Sequence, residues 1–376
     1  MTKAQHEIKG PTLLLRTEIA QRNLKRMSEK VQANGLDFRP HFKTHQSQAV
    51  GKWFRGSGVD KITVSSIKMA EYFADGGWQD ITIAIPLNLR EIPRLNALAR
   101  RIRLHTILDQ PETARQLILS ADSPLQVWIE IDTGDQRSGI PATDEARILQ
   151  TAQQIHNSVH LHFAGLIAHG GHSYEKATPQ NAQAFYNAQV AQLHRLQTML
   201  STQGIPTPGI SFGDTPLFSM ATQLTSITEA RPGNFIFYDL VQHSIGSCSL
   251  DDIAVAMACP VISVSPERSE LIVHGGGVHF SKDYMEEDGR KVYGKAARPT
   301  ERGWELIGGV YLKGLSQEHG VVAVEDPAKV SEWKCGDLIY FLPVHSCLTA
   351  DCMGGYLLME NGVPGKYVEM MPKQGF

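Results

Sequence analysis

Leu125-Gln126-Val127-Trp128-Ile129-Glu130-Ile131-Asp132 reads as the clearest strand in the chain, and the polar loop Thr133-Gly134-Asp135-Gln136-Arg137 follows it. Working outward, similar runs stand near 37–42, 61–65, 81–85, 104–108, 162–168, 209–212 and 226–230. Helical spacing fills most of the intervals, as in 68–77, 89–101, 111–119, 143–154 and 179–203. Strict alternation of strand and helix predicts a parallel sheet. Eight such units in roughly 210 residues predict a closed (β/α)8 barrel rather than an open doubly wound sheet. The polar residues decide between the two, because a barrel gathers them at the C-terminal ends of many strands. Lys43, Ser65 and Ser66, Asp109, Asp132 with Arg137, His169 with His172, Gly213-Asp214-Thr215, and Arg231 to Asn234 all follow predicted strands.

The fold class expected is therefore α/β, a (β/α)8 barrel over 11–246, with a β domain over 247–376 that also takes in the N-terminal residues 1–10. Beyond Gly246 the sequence changes to short β-rich runs with turn residues between them, among them VAMACPVISVSP, ELIVHGGG, WELIGGVYL and DLIYFLPVHSC. Hydrophobic residues make up 42% of the 376 and charged residues 20%, ordinary for a globular protein. A net charge of −3 argues against a nucleic-acid partner. The N-terminal apolar run is too short for a signal peptide or a membrane span, so a cytoplasmic, membrane-independent protein is expected. Five unevenly spaced cysteines, 248, 259, 335, 347 and 352, read as thiols or metal ligands rather than a disulfide framework.

Two places carry candidate chemistry. The first is Arg39-Pro40-His41-Phe42-Lys43-Thr44-His45, read as a strand ending in Lys43. A lysine in a weakly solvated setting has a lowered pKa and a nucleophilic amine, as a Schiff-base lysine requires. The loops after the seventh and eighth strands, SFGDTP and EARPGNF, are where barrels commonly grip a phosphate. Gly213 and Gly233 permit close backbone approach there, and Thr215 offers a hydroxyl. A phosphate grip with a strand-one lysine points to pyridoxal 5′-phosphate, with Arg137, His169 and Tyr174 placed for its ring and phenolate. The second place is Pro343-Val344-His345-Ser346-Cys347, taken as a strand whose alternation puts His345 and Cys347 on one face. Imidazole with thiolate suits a divalent metal, zinc above all. Asp351 and Cys352 are further candidate ligands. The segment His274-Gly-Gly-Gly-Val-His279-Phe-Ser-Lys-Asp283 lacks phosphate-loop spacing and reads as a turn packed close to something.

Taken together, PHFKTH, EIDTGDQRSGI, SFGDTP, EARPGNFIFYD, HGGGVHFSKD, Glu318-His319-Gly320 and PVHSCLTAD resemble fold-type III pyridoxal-phosphate enzymes over nearly the whole chain. The subgroup resembled is that of D-serine dehydratase and D-threonine aldolase, with alanine racemase more distant. The resemblance implies an alanine-racemase-type barrel with a β domain, as a homodimer. It implies Lys43 as the Schiff-base lysine, Gly213, Thr215, Gly233 and Asn234 at the phosphate, Tyr174 near the pyridine ring, and His345 with Cys347 as the metal pair. The activity implied is a lyase acting on D-β-hydroxy amino acids, most simply by elimination to a 2-oxo acid and ammonia. Cys347 favours that outcome, because the aldolases more often carry Asp as second ligand. Retro-aldol cleavage to glycine and an aldehyde, racemisation, and cofactor binding without catalysis are the alternatives, in that order.

Overall fold

The computed structural model describes residues 8–206, 209–360 and 362–373; residues 1–7 of the expected N-terminal segment lie outside the described residues. The chain forms two compact units. One comprises 26–43 and 51–233, and the other 1–25, 44–50 and 234–376. The division differs from the expected 246/247 boundary. Thr12–Arg16 pairs antiparallel with Val255–Ser265 and parallel with Gly355–Glu360, and these backbone hydrogen bonds draw it into the second unit.

Among the described residues, the first unit is a parallel sheet of eight strands: Asp37–Phe38, Ile62–Val64, Asp80–Pro86, Arg103–Leu108, Leu125–Asp132, Leu161–His169, Gly209–Gly213 and Glu229–Ala230. In spatial order they run first, eighth, seventh, sixth, fifth, fourth, third, second. A bridge between His41 and Thr63 joins the ends of that series, so the sheet closes as a barrel. The first strand is shorter than its sequence suggests. Pro40 has no N–H to give to a ladder, and the chain turns from Phe42 onward.

The barrel interior mixes apolar and polar layers. Ile107, Trp128 and Ile167 pack together. Gly165 and Gly209 lie so close that a Cβ on Gly165 would sit 2.0 Å from the Gly209 carbonyl oxygen. Near the N-terminal ends of the strands, Arg39 is buried between Glu229, at 2.8 Å, and Asp80. His105 Nε2 lies 3.1 Å from Asp80, and Trp128 Nε1 donates to His105 Nδ1 at 3.0 Å. A buried arginine is tolerated there because two carboxylates and their hydrogen bonds replace its water.

In the second unit, a ring of strands runs Val255–Ser265, Glu270–His274, His319–Val324, Trp304–Leu315, Gly294–Pro299, Leu338–Pro343 and back to Val255–Ser265. Alternation along Leu338–Phe341 buries Ile339 and Phe341, while Val255–Cys259 is buried at every position. Met285–Glu287 and Arg290–Val292 form a separate antiparallel hairpin. Its turn residues Asp288 and Gly289 have φ of 50° and 72°, as a tight two-residue turn requires. No helix among the described residues is long and apolar enough to cross a membrane, and no disulfide joins the five cysteines.

Candidate active site

In the barrel unit, Lys43 follows the first strand and is exposed, so the weakly solvated surroundings expected for it are not built by the described residues of this chain. Its backbone N–H donates to His41 Nδ1 at 3.3 Å. His41 lies well below the usual histidine pKa, first through desolvation and then through the charges of Lys43, Arg231 and Arg137, with His169 adding to the effect. These residues of the first, fifth, sixth and eighth strand ends therefore share one electrostatic neighbourhood. His169 Nδ1 lies 2.6 Å from the Gly213 carbonyl. A carbonyl only accepts, so Nδ1 carries the proton and the lone pair lies on Nε2. Desolvation, with Arg137 and Lys43, lowers His169 to about 3.

Arg231 is buried; its Nε donates to Ser211 Oγ at 2.7 Å and its Nη2 to the Ala168 carbonyl at 2.6 Å. Desolvation lowers it to about 10. Sequence reasoning placed Arg231 at a strand end without giving it a binding role. The available signal was an arginine between Ala230 and Pro232 closing a buried strand. Arg137 is more than half exposed, with Nε 3.9 Å from Asp135. Tyr174 stands half-buried on the short helix Ser173–Lys176.

Gly213, Thr215 and Gly233, the residues expected at a phosphate, stand at the ends of adjacent strands. Thr215 Oγ1 accepts the Gly233 N–H at 3.3 Å. A Cβ on Gly213 would lie 2.8 Å from the Arg231 backbone, so the seventh and eighth strand ends meet only because residue 213 is glycine. Several strand-end polar groups instead serve the backbone. Ser66 and Asp214 cap helices through Met69 N and Leu217 N, and Asp132 Oδ1 holds the N–H groups of Gly134 and Gln136.

Burial pushes Glu130 upward and Asp214 to about 8, toward their neutral forms. The basic side chains Lys43, Arg137 and Arg231 at this end of the barrel suit an anionic ligand such as a phosphorylated pyridoxal.

The second unit carries His345 and Cys347, but not on a strand. The strand ends at Pro343, and the helix Ser346–Met353 begins at once, with Thr349 N–H donating to the His345 carbonyl at 3.1 Å. His345 is the residue before that helix and Cys347 lies in its first turn, so the helix start, not strand alternation, brings the pair together. His345 Nδ1 lies 2.9 Å from Asp283 Oδ2. Desolvation works to lower His345, but the Cys347 sulfur, Asp239 and Asp283 raise it to about 9.

Cys347 Sγ is 3.3 Å from Thr44 Oγ1 and receives the Asn234 Nδ2–H at 3.3 Å. The Asn234 amide also reaches Asp239 Oδ2 at 2.8 Å and Ser346 Oγ at 3.0 Å. The Asn234 side-chain amide is thus engaged in the Cys347 surroundings. Asp351 pairs with Gln46 and Lys373, each at 3.1 Å. An imidazole with one ring nitrogen tied, beside a sulfur in hydrogen-bond contact with Thr44 and Asn234, is a donor set that fits a borderline-soft cation. Among the described residues, a group of three possible ligands is formed by His274, His279 and Glu318, which sequence reasoning did not single out as a cluster.

The two units, a parallel barrel with a lysine and buried arginine at its mouth and an antiparallel domain with a His–Cys pair, define a class of two-domain cofactor enzyme. Residues 17–240 match the family of alanine racemase N-terminal domains, and residues 254–359 match a serine dehydratase domain. The chain belongs to this family, in its D-serine dehydratase and D-threonine aldolase subgroup of fold-type III pyridoxal-phosphate lyases. It is 32% identical to the D-threo-3-hydroxyaspartate dehydratase of Delftia sp. (strain HT23) over 347 residues, 90% of this chain and 91% of that protein. It is 26% identical to the D-serine dehydratase of Dictyostelium discoideum over 385 residues, 95% and 94% of the two chains. A solved cysteine-to-alanine variant of D-threo-3-hydroxyaspartate dehydratase, in the metal-free form, superposes with a TM-score of 0.90 at 29% identity and full coverage of both chains.

Proposed function

We propose that this protein is a pyridoxal-phosphate- and metal-dependent dehydratase that converts a D-β-hydroxy amino acid to a 2-oxo acid and ammonia. The observation that carries the reading is the His345–Cys347 pair, whose sulfur lies 3.3 Å from Thr44 Oγ1 and accepts from Asn234 Nδ2. Lys43 would hold the cofactor aldehyde, the Gly213, Thr215 and Gly233 loops its phosphate, and Arg137, His169, Tyr174 and Arg231 its ring. Pyridoxal phosphate, when bound, supplies an electron sink for the pair left at Cα. A divalent metal on His345 and Cys347, zinc by its preference for nitrogen and sulfur, supplies Lewis acidity toward a hydroxyl.

The Lys43 amine takes the α-proton. Loss of that proton and of the β-hydroxyl removes one water; the resulting enamine becomes an imine, which hydrolyses to the 2-oxo acid and ammonia. His169, held neutral with its Nε2 lone pair open, accepts a hydrogen bond without adding charge.

The names of the relatives support D-threo-3-hydroxyaspartate and D-serine as the first substrates to assay. The family resemblance supports a homodimer, and cysteines without disulfides fit a cytoplasmic setting. The test is product analysis on a panel of D-β-hydroxy amino acids, with and without a chelator. Ammonia with a 2-oxo acid, lost on chelation, is expected. Glycine with an aldehyde would replace the reading by retro-aldol cleavage, and chelator-resistant interconversion of enantiomers by racemisation. Lys43→Ala should remove both turnover and the imine absorbance at roughly 410–430 nm.

A further inference from the structure

We infer that Asp283 is the positioning residue that makes His345 a metal ligand through Nε2, an inference that rests on the metal role proposed for His345 and Cys347. A carboxylate oxygen only accepts. At 2.9 Å from Asp283 Oδ2, His345 Nδ1 therefore carries the ring proton, and a neutral ring then has its lone pair on Nε2. Metal-bound histidines commonly need such a partner to fix tautomer and ring orientation.

The glycine-rich segment that begins at His274 fixes where Asp283 stands. Gly275 N–H donates to the Glu318 carbonyl at 2.9 Å, and Gly277 N–H to the Ser316 carbonyl at 2.7 Å. A Cβ on Gly276 would lie 2.3 Å from the Gln317 carbonyl oxygen, so the two backbones can lie this close only with glycine there. The short helix Gly277–Phe280 follows, and Thr349 Oγ1 donates to the Phe280 carbonyl at 3.1 Å. Thr349 lies on the same helix as Cys347. Asp283, three residues past Phe280, is thus anchored to the element that presents the pair.

The same tautomer reasoning sets the His274–His279–Glu318 cluster apart. His279 Nδ1 accepts the Gly276 N–H at 3.1 Å, which puts the proton of a neutral ring on Nε2. That Nε2 stands 3.7 Å from Glu318 Oε2 and turns a proton, not a lone pair, toward it. Among the described residues, this geometry favours His345 and Cys347 over the His274–His279–Glu318 cluster as the metal site.

The experiment is zinc titration of metal-stripped, pyridoxal-phosphate-loaded full-length protein against a chromophoric chelator, comparing wild type, Cys347→Ala, Asp283→Ala and Asp283→Asn. Wild type should bind one equivalent tightly and Cys347→Ala should lose it. If wild type binds none, or Cys347→Ala binds as wild type does, the metal reading itself fails. With that reading standing, Asp283→Ala should bind zinc about 10- to 100-fold more weakly, and Asp283→Asn, whose amide oxygen still accepts from Nδ1, should recover part of the loss. The cofactor absorbance should be the same in all four. Wild-type affinity in Asp283→Ala, or a loss that Asn does not partly restore, overturns the assignment of Asp283.

Discussion

Asp214→Asn should stabilise this protein near neutral pH and leave it unchanged in acid. Asp214 is buried, its Oδ1 accepts the Leu217 N–H at 2.7 Å, and a Cβ on Gly170 would lie 2.4 Å from its Oδ2. Desolvation raises its pKa to about 8, against the lowering effect of the Leu217 and Ser173 hydrogen bonds. An unfolded aspartate titrates near 3.9. An acid raised on folding destabilises the native state above its unfolded pKa, and the penalty is complete above the folded pKa. Between about pH 4 and 8 the wild type should therefore lose stability as pH rises. At about 1.4 kcal/mol per unit, the ceiling at pH 7 is about 4 kcal/mol. An effective dielectric near 20 at buried sites brings the expectation to about 2 kcal/mol. Asparagine keeps the helix cap and cannot ionise. Urea unfolding of both proteins at pH 4.5, 6, 7 and 8, followed by tryptophan fluorescence, measures the difference. A gap that does not widen with pH, or a variant less stable than wild type at pH 8, would refute the reasoning.

Other substitutions probe the barrel and the metal pair. Glu229→Ala leaves Arg39 buried with Asp80 alone; removal of one partner from a buried ion pair costs about 3–5 kcal/mol, readable as a lower denaturant midpoint. Gly213→Ala puts a methyl 2.8 Å from the Arg231 backbone; overpacking of this kind costs about 1–3 kcal/mol, and weaker cofactor retention on dialysis should accompany it. Asn234→Ala removes a hydrogen bond to the Cys347 sulfur, so zinc affinity should change, as titration against a chromophoric chelator would read.

Much of the architecture was legible in the sequence because the buried strands are long and apolar. Runs such as 81–86, 104–108 and 125–132 announce themselves, and helices lie between them at the intervals that parallel strands require. The clustering of Lys43, Arg137, His169 and the Gly213 and Gly233 loops followed from strand polarity alone, since residues that follow parallel strands share one end of a barrel. Three features did not follow. Local alternation predicts a strand through Cys347, yet Pro343 ends the ladder and a helix takes over. The pairing of Thr12–Arg16 with Val255–Ser265 and Gly355–Glu360 depends on backbone hydrogen bonds between residues hundreds of positions apart, which no local pattern encodes. Tautomers, too, are set by partners distant in sequence: Gly213 for His169 and Asp283 for His345. Residue types and spacing determined which groups could carry the chemistry; only the tertiary structure decided which nitrogen, sulfur and amide face one another, because hydrogen bonds are short and directional and sequence distance does not measure them.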